Sequence, residues 1–576
     1  MSKIKMLPYG ISDFVDLREK NRYFVDKSMY IPKLERACDY LFLIRPRRFG
    51  KSVFLSMVRE YYDIESQDRF DELFDGLWIK EHPTELKGKF QVMYFDFSQV
   101  ASGKEDLQTE FYRYCSNELV KFARKYAKYY PDYFVNEVLE KAPDAVDQLR
   151  YICGEAKMKR NHLYLILDEY DNFTNDVLSE KGQAVYHALT HATGFYRNIF
   201  KLFKPNFSHI LMMGVSPVTL DDLTSGFNIA INITMDEWFN MALGLSETEV
   251  RAMIQYYKDA GLIKDDVDNL IDDMRPWYDN YCFAEKSYGV DPSMFNCDMV
   301  IYYLRNCIEK GCPPKDKLDV NTRTDYKKLK RLLELEEMGD HERSILHEIA
   351  ANESIYSTIN SSFPADCIYD NNNFISLLYY YGMLTITGME GAMLKLSIPN
   401  NNVRKQYYEY LLDEYRRMAP IDFMATKRSF YQMAVRGNWR PTMEKIAGDY
   451  GKLSSVRSAI EGERNVQGFV LCALSLCPYY ITAPEVELAH GYCDFYLLPD
   501  KMRWPETVHS YIIELKYLTE KATEEAARKQ WDEAVAQIRH YATDKRVIQL
   551  SKDTELHLII MQIRNFKLER LEEVDG

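Results

Sequence analysis

Apolar runs separated by helical stretches organise the first 235 residues. Residues 40–44 form a short apolar strand that runs into a glycine–lysine loop, and 53–62 carry a helical period. Further apolar runs at 91–97, 163–167 and 209–213 predict three more strands, ending in turn at Phe97, at Asp168-Glu169 and at Gly214-Val215-Ser216. Strands alternating with helices predict a parallel sheet with helices on both faces. From about 236 to 440 helical periodicity dominates, as at 247–257 and 403–417. Residues 374–381 read as a helix stopped at Gly382 and 383–387 as a strand, an order that fits a winged-helix unit. The charged stretch 315–337 reads as a solvated helical surface or linker. From 441 to 576 the order is helix (463–476), three strands (480–488, 492–498, 510–517), a long amphipathic helix (524–541) and a final strand (556–563). The pattern thus predicts an α/β multidomain protein divided at 1–235, 236–440 and 441–576.

Composition narrows the class. At 576 residues the chain has length for about three or four domains. An apolar fraction of 46%, with 44 tyrosines and 29 phenylalanines, is ample for several cores. The net charge of -14 excludes a uniformly basic nucleic-acid coat, but not a local basic groove. The start, MSKIKMLPYG, holds no apolar run of signal-peptide type, and no stretch is long and apolar enough to span a bilayer. The 11 cysteines show no C-x-x-C pair, which fits free thiols in a reducing cytoplasm.

The loop Arg45-Pro46-Arg47-Arg48-Phe49-Gly50-Lys51-Ser52 is the back half of a phosphate-binding loop. Backbone N–H groups at a helix N-terminus converge on phosphate oxygens. Gly50 allows close approach, Lys51 neutralises the β/γ-phosphates, and Ser52 ligates magnesium. The glycine expected seven positions before the serine is Arg45, so the match is partial. Asp168, at the tip of an apolar strand, suits the magnesium shell, and Glu169 beside it suits orientation of the attacking water. Ser216 follows the fourth strand, where a polar residue senses the γ-phosphate. Arg45, Arg47 and Arg48 either contact phosphates or pair with acids on a neighbouring helix, and 23–28 either cover the base or form a surface turn. The bland alternative is a nucleotide-free scaffold of the same shape. His187 and His191 lie four apart on a predicted helix with no third metal ligand evident, so packed or surface histidines explain them.

Near the C-terminus Asp494 interrupts one apolar strand, and Glu514 and Lys516 interrupt the next. Strand alternation points Glu514 and Lys516 to one face. Charged groups on otherwise apolar strands are costly unless paired or working. Phosphodiester cleavage needs an in-line water and neutralised oxygens, which carboxylate-held divalent ions supply. Asp494 and Glu514 would hold the metal, Lys516 would orient the water, and Glu463 on the preceding helix would complete the shell, with Glu485 or Glu487 as further helpers. The alternative is an inter-strand salt bridge.

These residues resemble a known pairing. The N-terminal half is similar to the bacterial AAA-ATPase-like family that carries R-P-R-R-F-G-K-S as its phosphate loop. The likeness extends over Leu7-Pro8-Tyr9-Gly10-Ile11, the YFVDKS segment at 23–28, Leu167-Asp168-Glu169-Tyr170-Asp171 and Gly214-Val215-Ser216-Pro217. Arg45 is characteristic of that family. The W-Y-D-N-Y run at 277–281 resembles the family's W-Y-D-G-Y. The tail resembles the PD-(D/E)XK nuclease domain that such ATPases carry, through Glu463, Gly491-x-x-Asp494, Glu514-x-Lys516, Gln537 and Tyr541, with Tyr492 in place of the usual arginine. The resemblance implies a P-loop sheet at the N-terminus and a restriction-endonuclease-like αβββαβ domain at the C-terminus. It implies ATP binding and nuclease activity, hence ATP and Mg²⁺ as cofactors and nucleic acid, DNA favoured, as partner, but says little about biological role. A defence or mobile-element setting is an expectation by association only. With no apolar stretch long enough for a bilayer, the expected partners are nucleic acid and further copies of the chain, not a membrane. The rival reading is an ATP-dependent switch or assembly protein whose nuclease-like domain is inactive and serves as a binding module.

Overall fold

The structure is a computed structural model that describes residues 4–575, apart from 104–105, 192–193, 219–229, 320–339, 456–461, 489–490 and 502. Most of the charged 315–337 stretch lies outside the described residues. The chain forms two compact units, one from residues 1–338 and 356–402, the other from 339–355 and 403–576. The helices Glu247–Asp259, Val267–Tyr278 and Cys297–Lys310 fall in the first unit and Phe423–Arg436 in the second.

The first unit is built on five parallel strands: β1 (Tyr40–Ile44), β2 (Gln91–Asp96), β3 (Leu163–Asp168), β4 (His209–Gly214) and β5 (Ile231–Asn232). Their spatial order is β2-β3-β4-β1-β5. β4 therefore lies between the strand that enters the phosphate loop and the strand that ends in Asp168. The run 91–97, which separates the same two motifs in sequence, forms β2 at the edge of the sheet, beside β3. All six residues of β3 are buried, which fits its near-continuous apolar sequence in a sheet covered on both faces. Helix α1 (Lys51–Tyr62) follows β1 and buries Phe54, Leu55, Met57, Val58, Tyr61 and Tyr62 in the core. Fully burying an aliphatic or aromatic side chain of this size stabilises by about 1.5–3 kcal/mol. That burial fixes the helix N-terminus at the end of β1. The helix Asn371–Tyr380 precedes a strand, Thr385–Glu390, which pairs antiparallel with Met393–Ser397.

The second unit carries a sheet of β6 (Tyr480–Leu488), β7 (Gly491–Pro499), β8 (His509–Leu518), β9 (Glu555–Arg564) and β10 (Lys567–Glu573), in that order. β6/β7, β7/β8 and β9/β10 are antiparallel, and β8/β9 is parallel. The parallel pair is joined through the long helix α3 (Glu524–Ala542), which sets Trp531, Ala534, Ile538 and Tyr541 against Tyr496, Ile512, Leu558 and Ile560. Helix α2 (Glu463–Ser475) precedes the sheet. The predicted helix, three strands, helix, strand order is present, with β10 added at the edge.

Candidate nucleotide and nuclease sites

At the end of β1 the backbone turns into α1 through Gly50, whose φ of 86° is left-handed and open to glycine at no steric cost. Lys51 is 4% exposed. Its Nζ donates to the carbonyls of Arg45 (3.1 Å) and Pro46 (3.2 Å) and pairs with Glu169 Oε1 at 3.3 Å. Glu169 has φ 48°, an uncommon value for a residue with a Cβ, so the chain bends sharply at the tip of β3. Asp168 is buried, with Oδ2 accepting from the Tyr94 hydroxyl at 3.0 Å and Oδ1 buried without a hydrogen-bond partner. Burial first, and Glu169 second, push its pKa up to about 6, while a hydrogen bond from Ser52 opposes the shift. Ser52, Lys51, Asp168 and Glu169 are thus brought together. A hydroxyl beside a buried carboxylate with one unpaired oxygen, next to a lysine, fits a magnesium–nucleotide group.

The three arginines part company. Arg45 is fully buried and donates to the carbonyls of Ile44 (2.9 Å), Thr234 (2.8 Å) and Phe239 (2.9 Å), its guanidinium 4.2 Å from the Phe283 ring centre. Burial pushes its pKa down to about 10. Neither sequence alternative holds for it: it contacts backbone carbonyls, fixing the loop from beneath. Arg48 pairs with Asp298 at 3.0 Å, on the helix Cys297–Lys310, and Arg47 donates to Asn172 Oδ1 at 3.1 Å. Restoring the motif's usual glycine by Arg45→Gly is therefore expected to damage the protein. Loss of three charge-assisted bonds lowers stability by about 3 kcal/mol or more, read as a fall in the calorimetric melting temperature.

Ser216 is buried; its N–H donates to Asp171 Oδ2 (2.6 Å), its carbonyl accepts from the Tyr170 hydroxyl (2.6 Å), and its Oγ accepts from Val218 N–H (3.3 Å). Asp171 also accepts from Val215 N–H and from Asn175, so it holds the turn after β4. A Cβ on Gly214 would lie 2.3 Å from Asp171 Oδ1, which explains the glycine. Residues of the YFVDKS segment, Tyr23 to Val25 and Lys27, line a cavity of about 110 Å³ that also borders Gly50, Val53 and Leu243. The segment thus lies beside the phosphate loop, lining the same cavity. Asp366, distant in sequence, supplies the carboxylate that spacing alone did not show near His187 and His191; His187 Nε2 lies 2.6 Å from its Oδ1.

In the second unit the β7/β8 ladder runs as far as Phe495↔Ile513, and continuing it would set Asp494 opposite Glu514. There the Asp494 carboxylate enters the ladder, Oδ2 accepting from Leu515 N–H at 2.7 Å and Oδ1 from Gln467 Nε2 at 3.0 Å. Glu514 is 1% exposed; Oε1 accepts from Lys516 Nζ at 2.7 Å and Oε2 is buried without a hydrogen-bond partner. Lys516 also reaches Gln537 Oε1 at 3.3 Å, and Gln537 is bonded to the Tyr541 hydroxyl. Burial raises the pKa of both carboxyls, with the charge of Glu514 a further cause at Asp494, while Lys516 opposes the shift at both. Glu463, exposed on the first turn of α2, adds its negative charge to all three. Gln467, one turn further along α2, was not singled out by sequence; its i, i+4 spacing from Glu463 was the available signal. The side chains of Glu485, Glu487 and Tyr492 lie outside the described residues. Two carboxylates of raised pKa, one with an unpaired buried oxygen, and a lysine on the same face fit a divalent ion.

Residues 8–224 match the family model described as predicted AAA-ATPase, and residues 461–573 match the PD-(D/E)XK nuclease superfamily model. The chain joins an AAA-ATPase-like domain to a PD-(D/E)XK nuclease superfamily domain. An uncharacterized protein in the vnfD 5′ region of Azotobacter chroococcum mcd 1 is 26% identical over 292 residues, 48% of each chain, so the match spans about half the length of that relative. Among solved structures, the Aeropyrum pernix ORC2 protein in its ADPNP–ADP complexes aligns with a TM-score of 0.31 and 13% identity over 68% of this chain and 93% of that one. Cdc6p from Pyrobaculum aerophilum aligns with a TM-score of 0.24 and 12% identity over 65% and 88%. The AAA-ATPase-like domain contains β1–β4 with the Lys51 and Asp168 site, and the nuclease domain contains α2 and Asp494, Glu514 and Lys516. Among the described residues no helix is long and apolar enough to cross a membrane.

Proposed function

We propose that the chain is an ATP-binding P-loop ATPase coupled to a metal-dependent nuclease domain that cuts phosphodiester bonds in nucleic acid, with DNA as the favoured target in a defence or mobile-element role. The observation that carries the reading is the meeting of Asp494, Glu514 and Lys516 on one face, with Glu514 Oε2 buried and unpaired. Asp494 and Glu514 would hold the divalent ion, and Glu463 in the first turn of α2 would complete the shell. When bound, such an ion supplies an activated water and charge neutralisation at the scissile phosphate. Lys516, fixed by Glu514 and Gln537, offers a cation at the same face for the developing negative charge. Gln467 and the Leu515 N–H hold Asp494 in one orientation.

In the ATPase domain, Ser52 and Asp168 would hold magnesium, Gly50 and Lys51 the phosphates, and Glu169 the attacking water; Arg48 in the loop and Ser216 after β4 would add phosphate contacts. Incubating the protein with plasmid, linear and single-stranded substrates, with Mg²⁺ or Mn²⁺ and with or without ATP, tests the reading. Cleavage that needs the metal supports it, and no cleavage under any condition overturns it. Glu169→Gln is expected to leave ATP binding intact and slow hydrolysis by roughly 100-fold, the scale of one general acid–base group. Titration calorimetry and phosphate release check this, and equal loss of binding would move Glu169 out of the catalytic role.

A further inference from the structure

A second group of ligating side chains sits on the other face of the nuclease-domain sheet. The parallel β8/β9 pair sets His509 opposite Glu555 and Tyr511 opposite His557. Strand alternation puts His509, Glu555 and His557 on one face, while Glu514 and Lys516, odd numbers of residues from His509, occupy the face covered by α3. Five residues along a strand separate His509 from Glu514, about 16 Å. The group is therefore separate from the nuclease centre.

We propose that His509, His557 and Glu555 form a binding site for a transition-metal ion of the zinc class. Their ligand atoms all lie within 4.8 Å of one another. His509 Nδ1 is 2.9 Å from His557 Nε2 and 3.4 Å from Glu555 Oε2. Both imidazoles are largely buried, with side chains 12% and 8% exposed, whereas Glu555 is open to solvent. The entry path is thus on the carboxylate side.

The tautomers point the same way. His557 Nδ1 lies 2.6 Å from Glu573 Oε1, and a carboxylate only accepts, so Nδ1 carries the proton and Nε2 presents its lone pair. Glu573 is itself held by Trp439 Nε1 at 2.8 Å. A carboxylate fixing the far nitrogen of a ligating histidine is the arrangement that orients metal-binding imidazoles. The His557 ring is further fixed by stacking on Tyr511, at 4.8 Å and 15°. The ring of His509 is confined by Gly437, where a Cβ would come within 2.8 Å of Cε1.

Without metal, His509 donates its Nδ1 proton to His557 Nε2. Metal binding needs His509 to carry its proton on Nε2 instead, a change of tautomer with no net proton lost. Tetrahedral zinc with N–Zn bonds of about 2.0–2.1 Å spaces two nitrogens about 3.3 Å apart, so the rings must separate by a few tenths of an ångström. Two imidazoles and one carboxylate select Zn²⁺, Co²⁺ or Ni²⁺ over Mg²⁺ and Ca²⁺, and leave a position for water. The site would tie the start of β8 to the start of β9 and, through Glu573 and Trp439, to the segment after the helix Phe423–Arg436.

The test uses full-length protein stripped of metal with a chelator. Asp494→Asn and Glu514→Gln silence the nuclease centre, and His191→Ala removes the other histidine pair. Co²⁺ is titrated by its visible absorption and Zn²⁺ by calorimetry. One equivalent of each is expected to bind, with millimolar Mg²⁺ failing to compete. Glu555→Ala, on an exposed side chain that the fold does not need, should weaken binding at least tenfold. His509→Ala should abolish it, and Glu573→Gln should weaken it about 10- to 100-fold. No cobalt bound, or equal affinity with and without Glu555, overturns the proposal and leaves a hydrogen-bonded histidine pair. If His509→Ala misfolds by circular dichroism, the Glu555→Ala result decides.

Discussion

Asp494→Asn is expected to abolish metal-dependent cleavage while the domain stays folded. Asparagine keeps an oxygen for the Leu515 N–H and, after the Gln467 amide turns over, a donor for that side chain. Alanine at the same position is a poorer probe, because it strands a backbone N–H at a cost of about 1–3 kcal/mol. Stability should separate the two charge states. In the folded domain burial raises the pKa of Asp494 and of Glu514. Unfolded carboxyls ionise near about 3.9 and 4.3. Between those values and the raised folded ones the native state holds more protons than the unfolded state, so stability falls as pH rises. Asp494→Asn removes that penalty. It should be more stable than wild type at neutral pH by about 1 kcal/mol or more, with the gap closing toward about pH 4. Mg²⁺ should stabilise wild type and not the variant. Lys516→Ala should cut cleavage by roughly 100-fold or more. Undiminished cleavage by Asp494→Asn in a gel assay removes the nuclease assignment.

Lys51→Ala is the matching experiment in the ATPase domain. The side chain is 4% exposed and already bonded to two loop carbonyls and Glu169. Bound phosphates would draw the ammonium toward them, and its loss should weaken ATP affinity tenfold or more, about 1.4 kcal/mol per decade. Titration calorimetry reads this directly, and unchanged affinity removes Lys51 from the phosphate site. Because the lysine also braces the loop, Lys51→Ala should lower the melting temperature of the nucleotide-free protein. Asp168→Ala should weaken binding only when magnesium is present.

The elements that carry chemistry were legible because each is short, apolar and ended by a distinctive residue. β1 to β4 and the α2-to-β9 series follow the runs that predicted them, and the Asp168-Glu169 and Glu514-x-Lys516 signals fall where strands end or expose a face. What escaped was set by contacts far apart in sequence. No local pattern says that Arg45 will be enclosed by carbonyls of Thr234 and Phe239, or that His209–Gly214 will pair between β1 and β3. β5 has only two residues, too few for any period. β10 reads Lys-Leu-Glu-Arg-Leu-Glu-Glu, with only one buried side chain, as befits an edge strand guarded by charge. Gln467 is a neutral amide whose role depends wholly on Asp494 being opposite it.

The insertion of Asp494 into the β7/β8 ladder also bears on how a nuclease domain built this way would lose cleavage over generations. A carboxylate that served only chemistry would be free to drift to any small residue once cutting ceased to matter. Here the side chain also answers the Leu515 N–H. Descendants that retire the enzyme but retain the fold should therefore accumulate asparagine at this position more often than alanine, glycine or an apolar residue. The residue found there would then be a record of whether a lineage gave up cleavage or gave up the domain.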